Sequence, residues 1–209
     1  MQAWEKIFKN EGKYFLKPIA SMPKISGEFK RRKVAKILDL GCGSGRHLVY
    51  LAQKGYDMYA IDSSVTGIGI AKKWIKSRHL KAHFKRQDIY KKLPYASNSF
   101  DAIISTYVLH HNYEGKIKYL IKEMERVLKE KGLIFFTVPK FRHIRRNQSA
   151  KRLPLRKVGY MTYISQDGEE MGLPHFYFNK NTIEKYFNKF KILDFNSTKT
   201  HYEVLAQLK

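Results

Sequence analysis

The sequence predicts an α/β fold: a mostly parallel, doubly wound sheet of about seven strands, closed by a C-terminal antiparallel hairpin. Three observations carry this. From residue 34 onward, short apolar runs alternate with stretches of helical periodicity. Several of these runs are apolar without interruption, as in parallel strands covered on both faces. The last two strand-like runs are joined only by "STKTH", Ser197–His201, which is too short for a crossover helix.

The elements follow in order. Residues 3–20 have amphipathic helical spacing, with Trp4, Ile7, Phe8, Phe15 and Leu16 as packing residues. A basic run, Lys30–Lys33, precedes the first strand, Val34–Leu40. A helix over Gly45–Lys54, a strand over Asp57–Asp62, a helix over Val65–Ser77 and a strand over Ala82–Gln87 come next. Phe100–Tyr107 is a near-continuous apolar strand. Lys116–Leu128 has helical periodicity and meets a stop at Lys131-Gly132. Leu133–Val138 is an all-apolar strand. Asn181–Asn188 reads as a helix capped by Asn179 or Asn181. Lys191–Asn196 and Tyr202–Leu208 form the closing pair.

Bulk properties bound the function. The 209 residues suffice for one domain with a full core, and 43% are hydrophobic. There is no apolar run of transmembrane length, and the charged N-terminus does not read as a signal peptide. Cys42 is the only cysteine, so no internal disulfide forms and a reducing cytoplasm is expected. The formal charge is +23, from 41 Lys and Arg against 18 Asp and Glu. A solvated, compositionally biased surface produces such a value, and so does a surface built for a polyanion such as RNA.

The most informative stretch is "ILDLGCGSGRHL", Ile37–Leu48. A strand runs into Gly41, Gly43 and Gly45, and a helix follows. Ligands of open α/β sheets bind beyond the carboxyl ends of the strands, where a helix N-terminus presents free N–H groups. Alone, this turn fits NAD, a flavin, a phosphate or no ligand. Two acids narrow the choice. Asp62 ends the second strand and Asp88 follows the third, so both lie on the same rim as the glycines. The pattern is G-x-G-x-G and not the G-x-G-x-x-G of dinucleotide sites, and no P-loop lysine follows.

With these residues in place, the sequence resembles the class I S-adenosylmethionine-dependent methyltransferases of the type 11-like kind, which have a Rossmann-like fold. The resemblance rests on Ile37–Gly45, Ala60–Ser64 "AIDSS", Arg86–Ile89 "RQDI", Leu93–His111 and Met124–Val138, in that order. It implies S-adenosyl-L-methionine as cofactor and S-adenosyl-L-homocysteine as product. Carried over by position, Asp39, Gly41, Gly43 and Gly45 line the methionine part, with Cys42 packing among them. Asp62 holds the ribose hydroxyls. Asp88 meets the adenine amino group, beside Ile89 and Ser63. Thr106 lies near the sulfonium. Tyr107, His110 and His111 are the candidate catalytic residues, because they follow the fourth strand where substrate is expected. The place where base-amine and glutamine methyltransferases carry Asn/Asp-Pro-Pro-Tyr reads "STYVLHH" here, so that chemistry is not expected. His175, in "GLPHFYF", reads as a loop hydrogen-bonder; His47, His79, His83 and His143 are scattered, and no metal site is expected.

The expected organisation is one domain over residues 1–209. It comprises a helical cap at 1–33, a cofactor-binding core at 34–139, a basic insertion acting as substrate lid at 140–180, and a final helix with closing strands at 181–209. Eight of the 18 residues in Lys140–Lys157 are Lys or Arg. Together with Lys30–Lys33, and with Phe141, Tyr160 and Tyr163 as stacking rings, this segment is a candidate RNA surface. The acceptor is therefore a small molecule or an RNA, including tRNA and rRNA; a non-catalytic RNA- or partner-binding module is the remaining alternative.

Overall fold

In the computed structural model, residues 3–12, 15–141 and 155–209 are described. Two helices, α1 (Ala3–Glu11) and α2 (Met22–Arg31), precede the sheet. The core then alternates: β1 (Lys36–Leu40), α3 (Arg46–Ala52), β2 (Asp57–Asp62), α4 (Val65–Ser77), β3 (His83–Arg86), β4 (Phe100–Thr106), α5 (Glu114–Val127) and β5 (Leu128–Pro139). Three short strands follow, β6 (Leu155–Gly159), β7 (Thr162–Ser165) and β8 (Pro174–Phe176). Helix α6 (Lys180–Tyr186) leads to β9 (Phe190–Ser197) and β10 (His201–Leu208).

The main sheet has seven strands in the order β3-β2-β1-β4-β5-β10-β9. The first five are mutually parallel, and β10 runs antiparallel to both β5 and β9. Alternation along each strand sends side chains into two cores. Leu38, Ile103 and Phe136 pack on one face, while Ile37, Ile104 and Phe135 pack on the other. That two-sided burial explains the uninterrupted apolar runs. The order in which strands are added reverses between β1 and β4, with β2 and β3 laid down on one side and β5 on the other, which is the switch point at which such sheets bind ligands.

Three features go beyond the sequence reading, and one alternative in it is settled. The N-terminal helix is two helices: α1 ends at Gly12, whose φ is +65°, and α2 begins with Pro23 in its first turn and buries Met22, Ile25 and Phe29. Phe15 and Leu16 therefore fall between helices and stay largely exposed. At the other end of the core, α5 passes directly into β5 at Leu128. Lys131-Gly132 is not its stop but an irregularity inside β5, with Lys131 at φ +58°. The described part of the insertion forms a separate antiparallel sheet, β6-β7-β8. Asn179 caps α6 through a reciprocal pair with Thr182, which settles the choice of cap.

Candidate active site

A cavity of about 280 Å3 opens at the carboxyl ends of β1, β2, β3 and β4, just below the roughly 300–1,000 Å3 usual for ligand sites. Its floor is the β1–α3 turn. Helix α1 covers it, with Ala3, Trp4 and Phe8 in the wall. Of the residues expected from sequence, Gly41, Cys42, Gly43, Asp62, Ser63, Asp88, Ile89, Thr106, Tyr107 and His111 border the cavity. Asp39, Gly45 and His110 do not.

The glycines have local reasons for being glycines. Gly45 sits at φ +93° as the N-cap of α3, and a Cβ there would come within 2.8 Å of the Ala71 Cβ on α4. Its role is to let α3 and α4 close together, not to line the cavity. A Cβ on Gly43 would meet the Phe8 ring at 2.9 Å, so α1 itself approaches this glycine.

Asp62 organises the turn. One oxygen accepts from the Gly43 N–H at 2.9 Å and the other from the Ser64 N–H at 2.8 Å. Burial raises its pKa, against the pull of those N–H groups. Asp39, 2% exposed, is pushed up to about 7 by burial, with Asp62 adding to the rise and Arg46 opposing it. Its Oδ2 is buried with no hydrogen-bond partner, a costly state for a carboxylate. Asp88 accepts from the Tyr90 N–H at 2.9 Å. The Cys42 thiol is buried and its pKa is raised well above normal, so it packs and does not attack.

Two residues missed in the sequence complete the wall. Arg46, the first residue of α3, places its guanidinium over the rings of Phe15 (4.2 Å) and Tyr107 (5.4 Å). His47 accepts from the Ile19 N–H through Nε2 at 3.2 Å. Its proton therefore sits on Nδ1 and is directed at the Thr106 hydroxyl, 3.0 Å away. Burial holds this imidazole neutral, with a pKa down at about 3. Sequence reasoning stopped at the glycines, yet the next two positions of the same turn face the cavity.

Tyr107 has φ +60°, a left-handed conformation that is rare for a bulky side chain. Its N–H donates to the Thr137 hydroxyl at 2.8 Å, and its carbonyl accepts from His111 Nε2 at 2.8 Å. Strain of this kind concentrates at functional sites. Both neighbouring histidines are held neutral by burial: His110 lies well below its ordinary pKa, and His111 is down at about 4. The turn after β4 also brings His110 and His111 against His175 of β8, with ring centroids 5.5 and 4.8 Å away. His175, expected as a loop hydrogen-bonder, thus packs beside the two candidate histidines. His175 is 64 residues from His111 in sequence but adjacent to it in the fold.

The candidate RNA surface is divided. Lys30–Lys33 lie at the amino end of β1, a strand of five residues whose other end carries the glycine turn. At about 3.3 Å per residue this puts them some 16 Å from the cavity rim. Residues 142–154 lie outside the described residues. Of the rest, Lys140 donates to the Thr198 carbonyl, Arg156 and Lys157 are exposed on β6, Phe141 meets Tyr163 at 6.3 Å, and Tyr160 is exposed. No described helix is long and apolar enough to cross a membrane.

Known proteins match this arrangement. The family described as "Methyltransferase domain" matches residues 37–132, from β1 into β5. An uncharacterised methyltransferase of Synechocystis is 32% identical over 98 residues, 47% of this chain and 44% of its own length. A ubiquinone biosynthesis O-methyltransferase of Pelagibacter ubique is 30% identical over 112 residues, 54% of this chain and 45% of its own length. The match thus spans less than half the length of each relative. The PH0226 protein of Pyrococcus horikoshii shares the fold, with a TM-score of 0.76 at 19% identity over 98% of this chain and 99% of its own. The matched segment carries the glycine turn, Asp62, Asp88 and the strained end of β4, and over residues 37–132 the chain is similar to the S-adenosylmethionine-dependent methyltransferase domains of class I.

Proposed function

We propose that this chain transfers a methyl group from S-adenosylmethionine to an acceptor that enters beside Tyr107, His111, Asn112 and Leu173. The observation that carries the reading is an electrostatic mismatch. Two acids, the buried Asp39 and the half-buried Asp62, both have raised pKa values, and Asp39 Oδ2 has no partner. Such a pocket favours a ligand that brings positive charge and N–H donors. The cofactor's ammonium and sulfonium groups meet that demand.

Arg46 would receive the cofactor carboxylate and Asp39 its ammonium group. Asp62 would take the ribose hydroxyls, for which each carboxylate oxygen keeps acceptor capacity beyond its one N–H bond. Asp88 and Ile89 would meet the adenine, with Trp4 and Phe8 covering it. The bound cofactor supplies a methyl group on a sulfonium leaving group, so the protein mainly aligns the acceptor and excludes water. Thr106 and Tyr107, fixed by His47 and Thr137, form the wall nearest that group. His110 and His111, both neutral, are in place to orient the acceptor.

The covered cavity favours a small acceptor. The charge of +23 favours RNA as a second reading. Calorimetry with S-adenosylhomocysteine tests the cofactor: binding is expected, with loss on Asp62→Ala, and the absence of both would sink the proposal. Radiolabelled methyl transfer into fractionated extract then assigns the acceptor. RNA affinity should fall steeply with salt, and a salt-independent or absent affinity removes that reading. Cofactor binding without transfer to any fraction would point to a non-catalytic binding module.

A further inference from the structure

We propose that His110, His111 and His175, with Glu170 beside them, form a binding site for one divalent transition-metal ion of the zinc class on the acceptor side of the cavity. One ring nitrogen from each histidine lies within 4.8 Å of the other two. All three rings are at least nine-tenths buried.

The hydrogen bonds leave a deficit that a cation fills. His110 Nδ1 and His111 Nδ1 are buried with no hydrogen-bond partner. For His111 the proton is already placed, because Nε2 faces the Tyr107 carbonyl at 2.8 Å; Nδ1 therefore carries an unused lone pair. His175 has the opposite problem. Its Nδ1 faces the Leu173 carbonyl at 2.9 Å and its Nε2 faces a Glu170 oxygen at 3.0 Å. A neutral imidazole has one N–H and serves only one of these acceptors. A metal ion on Nε2 in place of a proton satisfies His175 and Glu170 together. The other Glu170 oxygen lies 3.9 Å from His111 Nε2, the nitrogen turned to the Tyr107 carbonyl, so the carboxylate lies beside the histidines and orients two of their rings.

The donor set selects the ion. Three imidazole nitrogens suit zinc, cobalt, nickel or copper and not the all-oxygen preferences of magnesium or calcium. Tetrahedral Zn–N bonds of about 2.1 Å require nitrogens about 3.4 Å apart, so the cluster closes slightly on binding. His110 and His111 sit in the turn after β4, where adjacent rings lie on the same side with centroids 4.0 Å apart. In a strand they would point to opposite faces. The site is independent of the methyl donor, because none of its residues is one assigned to the cofactor.

The test uses the whole chain without a histidine tag, stripped with chelator and titrated with Co2+ alone, then with Zn2+ in a calorimeter. One ion per chain is expected, with the intense visible absorption of four- or five-coordinate cobalt and a metal-dependent rise in Tm. His110→Asn and His175→Gln should weaken binding at least about 100-fold, and Glu170→Gln about 10- to 100-fold. His83→Gln, at an exposed histidine paired with Asp57, should change nothing. Melting curves of the stripped variants separate lost ligation from lost folding. Silent cobalt spectra and no zinc heat would overturn the site and leave His175 and Glu170 as a simple ion pair. Binding that survives both histidine substitutions would also overturn it.

Discussion

Glu5→Gln should loosen α1 from the cavity. Glu5 is the contact that ties this helix to the N-terminus of α4. Its Oε2 accepts from the Ser64 hydroxyl at 2.6 Å and the Thr66 N–H at 3.2 Å, and its Oε1 accepts from the Thr66 hydroxyl at 2.7 Å. Ser64 is committed to this arrangement, because its oxygen also accepts from the Gly67 N–H as the cap of α4. The Ser64 and Thr66 donors pull the Glu5 carboxyl from 4.5 down to about 2, against the effect of burial. At about 1.4 kcal/mol per unit this shift sets a ceiling of ~3.5 kcal/mol. Water at the helix edge reduces it toward the ~1–2 kcal/mol of a carboxylate at a partly buried helix N-terminus. A carboxamide keeps one acceptor and turns two N–H donors toward groups that are themselves donors. A nine-residue helix has little stability of its own, so the loss transfers to docking. Because α1 contributes Ala3, Trp4 and Phe8 to the wall, the Kd for S-adenosylhomocysteine should rise by about 5- to 30-fold. The folded pKa is depressed, so the contribution is complete above pH about 4.5 and is lost as pH falls toward about 2. Calorimetry, with hydrogen exchange over residues 3–11, reads both effects. Unchanged affinity together with unchanged exchange in α1 would refute the reasoning.

Other outcomes follow from the same site. Asp39→Asn should raise the Tm of the cofactor-free protein at pH 8 by several degrees while weakening S-adenosylhomocysteine binding tenfold or more. Asp39 has a folded pKa raised from 3.8 to about 7, so its ionisation opposes folding increasingly as pH climbs through that window; equal melting curves for both proteins at pH 8 would contradict this. Arg46→Met keeps the contact with Phe15 and Tyr107 but removes the charge. S-adenosylhomocysteine should bind about 10- to 100-fold more weakly, whereas methylthioadenosine, which lacks the carboxylate, should bind as before. Gly45→Ala forces a side chain at φ +93° against Ala71, costing about 2–4 kcal/mol, or roughly 5–15 °C in Tm. The fraction that remains folded should bind S-adenosylhomocysteine normally, because Gly45 does not line the cavity.

Local chemistry explains what could be read without coordinates. Asp57–Asp62 and Val65–Ser77 have the bounds expected from the sequence, because a buried strand and a capped amphipathic helix announce themselves within a few residues. The glycine turn, Asp62 and Asp88 were legible as a site for a related reason: strand ends in a parallel sheet share one rim, so spacing along the chain becomes proximity in space. Where two signals overlapped, the reading failed. Residues 3–20 looked like one helix because apolar spacing continues past Gly12, and only the positive φ at Gly12 and the packing of α2 separate the pieces. The basic run Lys30–Lys33, read as an extension of the basic insertion, precedes β1 at the end opposite the glycine turn.

The sequence by itself determined the sheet and the rim, since each depends on short-range pattern, and its resemblance to known methyltransferases implied the class of cofactor. Only the tertiary structure decided that α1 roofs the cavity through Glu5 and Phe8, 59 and 35 residues from Ser64 and Gly43. It alone brought His175 to His110 and His111. Contacts of that length arise from how layers pack, and no local propensity encodes them.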